Sequence, residues 1–223
     1  MKAELLNAAI VVVAREHTPS MLHPSFLESQ GIVSSDWKLL EPPICTPPIS
    51  IVKYNNGVVL TAESNKLQVL QTPVESSKLD LVIPELTSRY IEKFPHISYI
   101  AVGVNFAFII PCPEPESLII QIFIKEKVHD LGDLKLKSAS IRLAYPISTD
   151  KQRVVLNVSC EPKEVIERGE AKRGILVSAN YHHYIDEEKT LEDTMKAIST
   201  FESRLTHFKD VIIPKLFGAE VQL

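Results

Sequence analysis

Between His96 and Pro111 the chain reads HISYIAVGVNFAFIIP, an almost unbroken apolar run. Successive strand residues point to opposite faces, so the run divides into two sets. Ser98, Ile100, Val102, Val104, Phe106, Phe108 and Ile110 form a bulky set. Ile97, Tyr99, Ala101, Gly103, Asn105, Ala107 and Ile109 form a second set that is small at its middle. Neither set is plainly polar, which predicts a central strand covered on both faces. Small residues let another element come close, and the pattern suggests the last helix of the chain as that element. The alternative is that the bulk missing at Ala101, Gly103 and Ala107 is the floor of a ligand pocket between this face and the final helix.

The other elements follow from the same periodicities. Ala8–Ala14 is a short β-branched run, a buried strand. Ser20–Gln30 predicts a short helix capped by Ser25, with Glu28 as capping-box partner and Gly31 at its end. Glu41–Pro48 holds four prolines, a stiff connector. Ile49–Tyr54 and Val58–Glu63 flank Asn55-Asn56-Gly57, a strong hairpin signal. A second turn at Ser64–Lys66 leads to Leu67–Gln71, which completes a three-stranded meander. A polar Thr72–Asp80 link precedes a helix over Pro84–Phe94 with Leu86, Tyr90, Ile91 and Phe94 on one face.

Beyond the long strand, four more strands are expected at Leu118–Lys125, Leu136–Ile147, Arg153–Cys160 and Arg173–Ile185. Glu161–Lys172 reads as a charged loop with room for a helical turn. From Thr190 the positions Leu191, Met195, Ile198, Phe201, Leu205, Phe208 and Ile212 recur at helical spacing. Each half of the chain thus carries a strand meander followed by a helix. The fold class expected is α+β. A large, mostly antiparallel β-sheet has the long C-terminal helix packed across one face and a second helix between the strand groups. Residues 1–223 form one domain, with sub-halves 1–95 and 96–223.

Composition narrows the chemistry. A chain of 223 residues with a net charge of −4 has no global basic excess to attract nucleic acid. No apolar run is long enough to cross a bilayer as a helix. Met1-Lys2-Ala3-Glu4 carries an early acid, against a signal peptide. Three widely spaced cysteines, Cys45, Cys112 and Cys160, suit a reducing compartment, and the cytoplasm is the expected location. The seven glycines are scattered and cannot build a dinucleotide fingerprint or a phosphate loop. No Cys or His pair has zinc spacing, and His182 and His183 on a strand point to opposite faces. Neither a metal nor a cofactor is expected.

Some polar groups still invite a site. Arg15, Glu16 and His17 follow a buried strand directly, where loops often carry function, and suit an anion or a partner's backbone. The bland reading is a solvated strand end with an Arg–Glu pair. Cys160 with His183 and Asp186 is the one nucleophile–base–orienter set, though no spacing selects it. Lys125, Lys127, Lys135, Lys137 and Arg142, with Phe123 and Tyr145 for stacking, would suit nucleic acid if they shared a face. A charged sheet edge accounts for them equally well.

The opening apolar strand, the Tyr54-Asn55-Asn56-Gly57 hairpin, the helix running into Ile97–Asn105, and the tail from Ala179 through Phe208 and Leu216 together resemble a known pattern. It is that of a sporadically distributed family of uncharacterised bacterial α+β proteins of similar length. The likeness covers most of the chain through pattern and implies no activity and no catalytic residues. The order strand, short helix, meander, long C-terminal helix is also similar to helix-grip folds, which hold apolar ligands. The helix at Pro84–Phe94 departs from that order.

The leading expectation is a non-enzymatic protein-interaction or assembly subunit of a bacterial complex, engaging a protein partner or a second copy of itself. The alternative is a helix-grip-like binder of an apolar small molecule. An enzyme with a fold-assembled site and a nucleic-acid-binding accessory protein follow behind. Candidate binding residues are Arg15, Glu16, His17, Gly103, Asn105 and His183.

Overall fold

A computed structural model describes residues 1–74, 80–147, 153–167, 170–188 and 190–222, so residues 75–79 of the Thr72–Asp80 link lie outside it. In chain order the first half runs β1 (Lys2–Ala14), α1 (Pro24–Ser29), β2 (Ile44–Cys45), β3 (Ile49–Lys53), β4 (Val58–Glu63), β5 (Lys66–Gln71) and α2 (Ile83–Glu92). The second half runs β6 (Tyr99–Pro111), α3 (Pro115–Phe123), a small hairpin β7 (Asp130–Leu131) and β8 (Leu134–Lys135), then β9 (Ile141–Ile147), β10 (Val154–Glu167) and β11 (Glu170–Tyr184). It closes with α4 (Thr190–Ser199), α5 (Phe201–His207), a π-helical turn over Phe208–Ile212, α6 (Ile213–Phe217) and β12 (Glu220–Gln222).

One sheet takes the order β2-β3-β4-β5-β1-β6-β11-β10-β9, antiparallel throughout, with β12 added in parallel to the start of β1. The order 3-4-5-1 on one side mirrors 9-10-11-6 on the other. Each half is a long strand, a helix, a three-stranded meander and a closing helix. The two long strands meet antiparallel at the centre, from Ala8 opposite Phe106 to Val13 opposite Ala101. The repeated order of elements legible in the sequence is therefore a duplicated topology about the β1–β6 pair.

The helices gather on one face of this sheet. Phe26 of α1 packs edge-on to Tyr90 of α2, and Phe123 of α3 packs on Phe217 of α6. Along β6 the buried bulky set, Val102 through Ile110, points into that layer. The C-terminal helices lie on it: Phe106 has its ring 5.2 Å from Phe201 and 6.3 Å from Phe208, and Phe108 is 5.7 Å from Phe208. This corrects the expectation that the last helix covers the small set. Bulky side chains gain more from leaving water, about 25 cal/mol for each Å² of apolar surface, so the helix stripe goes where the bulk is. The middle of the small set, Ala101, Gly103, Asn105 and Ala107, faces away from the helices; at the register shift before Ala101 the alternation breaks, so Tyr99 turns in and donates to the Phe94 carbonyl while Ile100 is exposed.

Four local readings also change. Leu118–Phe123 is helical, as part of α3, and not the expected strand Leu118–Lys125. Pro115 opens the helix and Ile119 is its buried anchor; a short apolar run cannot be assigned by periodicity alone. Glu161–Glu167 and Glu170–Lys172 continue the β10–β11 pairing, in register from Glu161 opposite Leu176 to Glu167 opposite Glu170, and residues 168–169 of the expected loop lie outside the described residues. The final helix is interrupted, and its π turn adds a residue to the stripe. After Phe201, Leu205 and Phe208 the next buried position is Ile213, not Ile212. In α1 the cap is His23, whose Nδ1 accepts from the Ser25 amide, and not Ser25.

Candidate functional site

The uncovered face is where the sheet departs most from ordinary strand composition. Asparagine is depleted in strands because its short polar side chain competes for backbone groups and packs poorly. Yet Asn157 of β10, Asn180 of β11 and Asn105 of β6 stand directly opposite one another across three neighbouring strands. Two residues along, on the same face, lies a second polar row. Arg142 of β9 is opposite Ser159, Ser159 opposite Ser178, Ser178 opposite Ala107, and Ala107 opposite Asn7 of β1. These residues line a cavity of about 360 Å³.

Part of this array is locked. Asn180 Nδ2 donates to Asn105 Oδ1 at 2.7 Å, and Asn105 Nδ2 donates to the Gly103 carbonyl at 3.0 Å. Gly103 makes room for this arrangement, since a Cβ there would sit 2.8 Å from Asn180 Nδ2. The gap in the small set of β6 is thus filled by an asparagine from the next strand. It is polar, and the pocket expected between the C-terminal helix and Ala101, Gly103 and Ala107 does not form. Among the described residues the side chains of Asn7, Asn157, Ser159, Ser178 and Arg142 make no hydrogen bond or ion pair and remain free to meet a ligand. Nearer the end of the same face, the Arg153 guanidinium lies 3.7 Å from the centre of the Tyr184 ring, and His182 packs edge-on to that ring.

The other half of the open face is different in character. Ile51 of β3, Val59 of β4, Leu70 of β5 and Val11 and Val13 of β1 point outward, half-exposed, and none belongs to the apolar side chains packed on the core. The charges among them are matched: Lys66 pairs with Glu63 at 2.8 Å, and Lys53 with Glu41 at 2.9 Å.

The sequence candidates fall apart in space. Of Arg15, Glu16 and His17, Arg15 pairs at the surface with Glu187 at 3.1 Å and Glu16 is exposed. His17 is buried, its Nε2 3.3 Å from the Val12 carbonyl, and burial holds its pKa below the usual histidine value. No common binding patch results. His183 is on the helix face, fully buried, while His182 is on the open face, so the two rings do diverge. Cys160 lies six positions along β10 from Val154, the partner of His183. That is about 20 Å at the rise of a strand, so Cys160 and His183 form no catalytic pair. Burial pushes the Cys160 thiol up to about 12, which removes its nucleophilic form at neutral pH. Of the remaining candidates, Asn105 lines the cavity, and Gly103 beside it accepts the Asn105 amide at its carbonyl.

His183 belongs instead to a polar cluster under the C-terminal helices. Its Nε2 is 3.4 Å from Thr200 Oγ1, a hydroxyl that donates to the Ala197 carbonyl at 2.7 Å. Beside it the Tyr181 hydroxyl and His207 Nδ1 share a hydrogen bond of 2.8 Å, and the Arg204 guanidinium lies 5.3 Å from the Tyr181 ring centre. Burial, with the Arg204 and His182 charges, lowers the His183 pKa to about 4. Burial followed by Arg204 and Lys215 lowers that of His207. Both imidazoles are neutral at pH 7 and serve packing.

A second cavity of about 600 Å³ lies between α3 and the β7–β8 hairpin, lined by Ile120, Ile124, Glu126, His129, Lys135 and Leu136. Its walls are an outer helix and a two-residue hairpin, less rigid supports than three central strands. Phe123, expected to stack bases with Tyr145, is turned inward against Phe217 at 5.7 Å. Among the described residues no group of three His, Cys, Asp or Glu side chains is placed to hold a metal, and no helix is long and apolar enough to cross a membrane.

What sequence reasoning missed is the row itself. Asn105, Asn157 and Asn180 each interrupt an apolar run (VGVNFAF, VVLNVSC, LVSANYHH), a visible local anomaly. Their alignment depends on the register of β6, β11 and β10, which no single stretch encodes. Comparison with protein-family models and with curated proteins found no match to this chain.

Proposed function

We propose that the protein is a non-enzymatic interaction subunit that docks a partner protein on the uncovered face of its sheet. The observation that carries this reading is a diagonal stripe of partly exposed apolar side chains, Val11 and Val13, Leu70, Val59 and Ile51, that crosses four adjacent strands between the polar Gln68, Thr61 and Lys53. An antiparallel sheet with one solvated face ordinarily alternates apolar-in, polar-out. Contiguous outward apolar side chains mark a surface that another protein covers. The charges around the patch are neutralised within the chain, so the partner offered to it is an apolar, uncharged surface. The free asparagines and serines beyond the patch supply hydrogen bonds without a nucleophile–base pair, which is the equipment of recognition. Bacterial assembly membership and a cytoplasmic location remain part of this proposal.

The test is native mass spectrometry of the protein purified gently from its host, beside a Leu70→Glu variant. A chain retained at fixed stoichiometry by the parent and lost from the variant, with circular dichroism unchanged, is the expected result. A bare monomer in both, or a partner retained equally by both, refutes docking at this face.

A further inference from the structure

We propose that the cavity over β6, β10 and β11 is a binding site for a small monocarboxylate that also carries hydroxyl or amide groups. The proposal is independent of the docking patch, which lies on the other half of the open face. Its ground is the chemistry of the lining. Arg142 is the one charged side chain among the lining residues, and no acid lines the cavity to neutralise it. Its guanidinium makes no ion pair with a described residue. A planar guanidinium fork matches a carboxylate with two parallel hydrogen bonds. One positive charge suits a monoanion, whereas a phosphate dianion would leave charge uncompensated.

The rest of the lining reads the body of the ligand. Asn7, Asn157, Ser159 and Ser178 each offer donors and acceptors that the described protein does not use. Ligand hydroxyls and amides both give and accept hydrogen bonds, and so match such a set; a hydrocarbon would leave it unpaired. The Asn105–Asn180 pair beneath is already fixed, so the floor needs no reordering when a ligand enters. A volume of about 360 Å³ equals roughly a dozen water volumes, which sets a ligand of roughly a dozen non-hydrogen atoms. Gluconate and N-acetyl-L-glutamine are monocarboxylates of that size and chemistry.

The experiment is a nuclear magnetic resonance titration of the ¹⁵N-labelled full chain, read at the side-chain amides of Asn105, Asn157 and Asn180. The probes are gluconate and N-acetyl-L-glutamine, each beside its uncharged counterpart, gluconamide and N-acetyl-L-glutaminamide. At least one carboxylate should shift these signals saturably. The affinity should fall about ten- to a hundredfold for the uncharged counterpart and for Arg142→Gln, the range for losing hydrogen bonds to a charged group. Arg142 is exposed on an edge strand, so this variant keeps the fold, which its backbone spectrum verifies. A second variant, Asn180→Asp, places a negative charge in the floor and should abolish carboxylate binding. Absence of shifts with both carboxylates overturns the proposal, as does equal binding of the uncharged probes or unchanged affinity in Arg142→Gln. Leu70→Glu should leave the titration unaltered, which separates failure here from failure of the docking proposal.

Discussion

Acidification from pH 7.5 to pH 5 should destabilise the protein through His183, and the structure sets how much. The ring is fully buried on the helix face between strand neighbours Val102 and Val154, with Thr200 Oγ1 near Nε2 and no partner for Nδ1 among the described residues. Burial, the Arg204 guanidinium and His182 lower its folded pKa from 6.5 to about 4. The unfolded chain therefore binds the proton more readily than the folded one between those two values. Stability is fully present above the unfolded value and is lost as the pH falls toward the folded one. With these values the loss is about 2 kcal/mol at pH 5 and approaches about 3 kcal/mol below pH 4. His17, His182 and His207, also shifted down, add losses of the same sign. A His183→Leu variant isolates the one group. Urea unfolding of both proteins at pH 7.5 and pH 5 should show the stability difference between them moving by about 2 kcal/mol in favour of the variant as the pH falls. Identical pH dependence in the two proteins, or a His183 titration midpoint above about 6 by nuclear magnetic resonance, would refute the reasoning.

Two further outcomes test the packing. Gly174 and Gly103 should respond differently to alanine: a Cβ at Gly174 falls 2.4 Å from the Ile110 carbonyl oxygen, which is fixed backbone, while at Gly103 it meets the movable end of Asn180 at 2.8 Å. Gly174→Ala should cost about 3 kcal/mol or more and Gly103→Ala about 1 kcal/mol, and equal shifts in the urea midpoint would sink that distinction. Cysteine labelling should follow burial: exposed Cys45 should react with iodoacetamide at about pH 8, half-buried Cys112 more slowly, and Cys160 only after unfolding. Modification of Cys160 in the folded protein at the rate of Cys45 would contradict the core described above.

Much of the architecture was written locally. The Asn55-Asn56-Gly57 turn specifies its hairpin through backbone angles that few other residues adopt, and Gly57 does take a φ of 84°. The alternation in His96–Pro111 required a central strand, and the spacing from Leu191 required helices over the sheet. Those features depend only on a residue and its near neighbours. Three decisions were left to the tertiary structure. Which face of β6 the helices cover was settled by the aromatic cluster of Phe106, Phe108, Phe201 and Phe208, a contact between segments about a hundred residues apart. Whether Leu118–Phe123 became helix or strand was settled by the burial of Ile119 in the core and the packing of Phe123 on Phe217, because a short apolar run satisfies either period. The candidate site was the least legible. A row formed by Asn105, Asn180 and Asn157 exists only once three strands pair in one register, and a shift of one residue would turn each to the opposite face. Local sequence determines which residues a strand displays on each side, whereas the pairing of distant strands determines which of them meet.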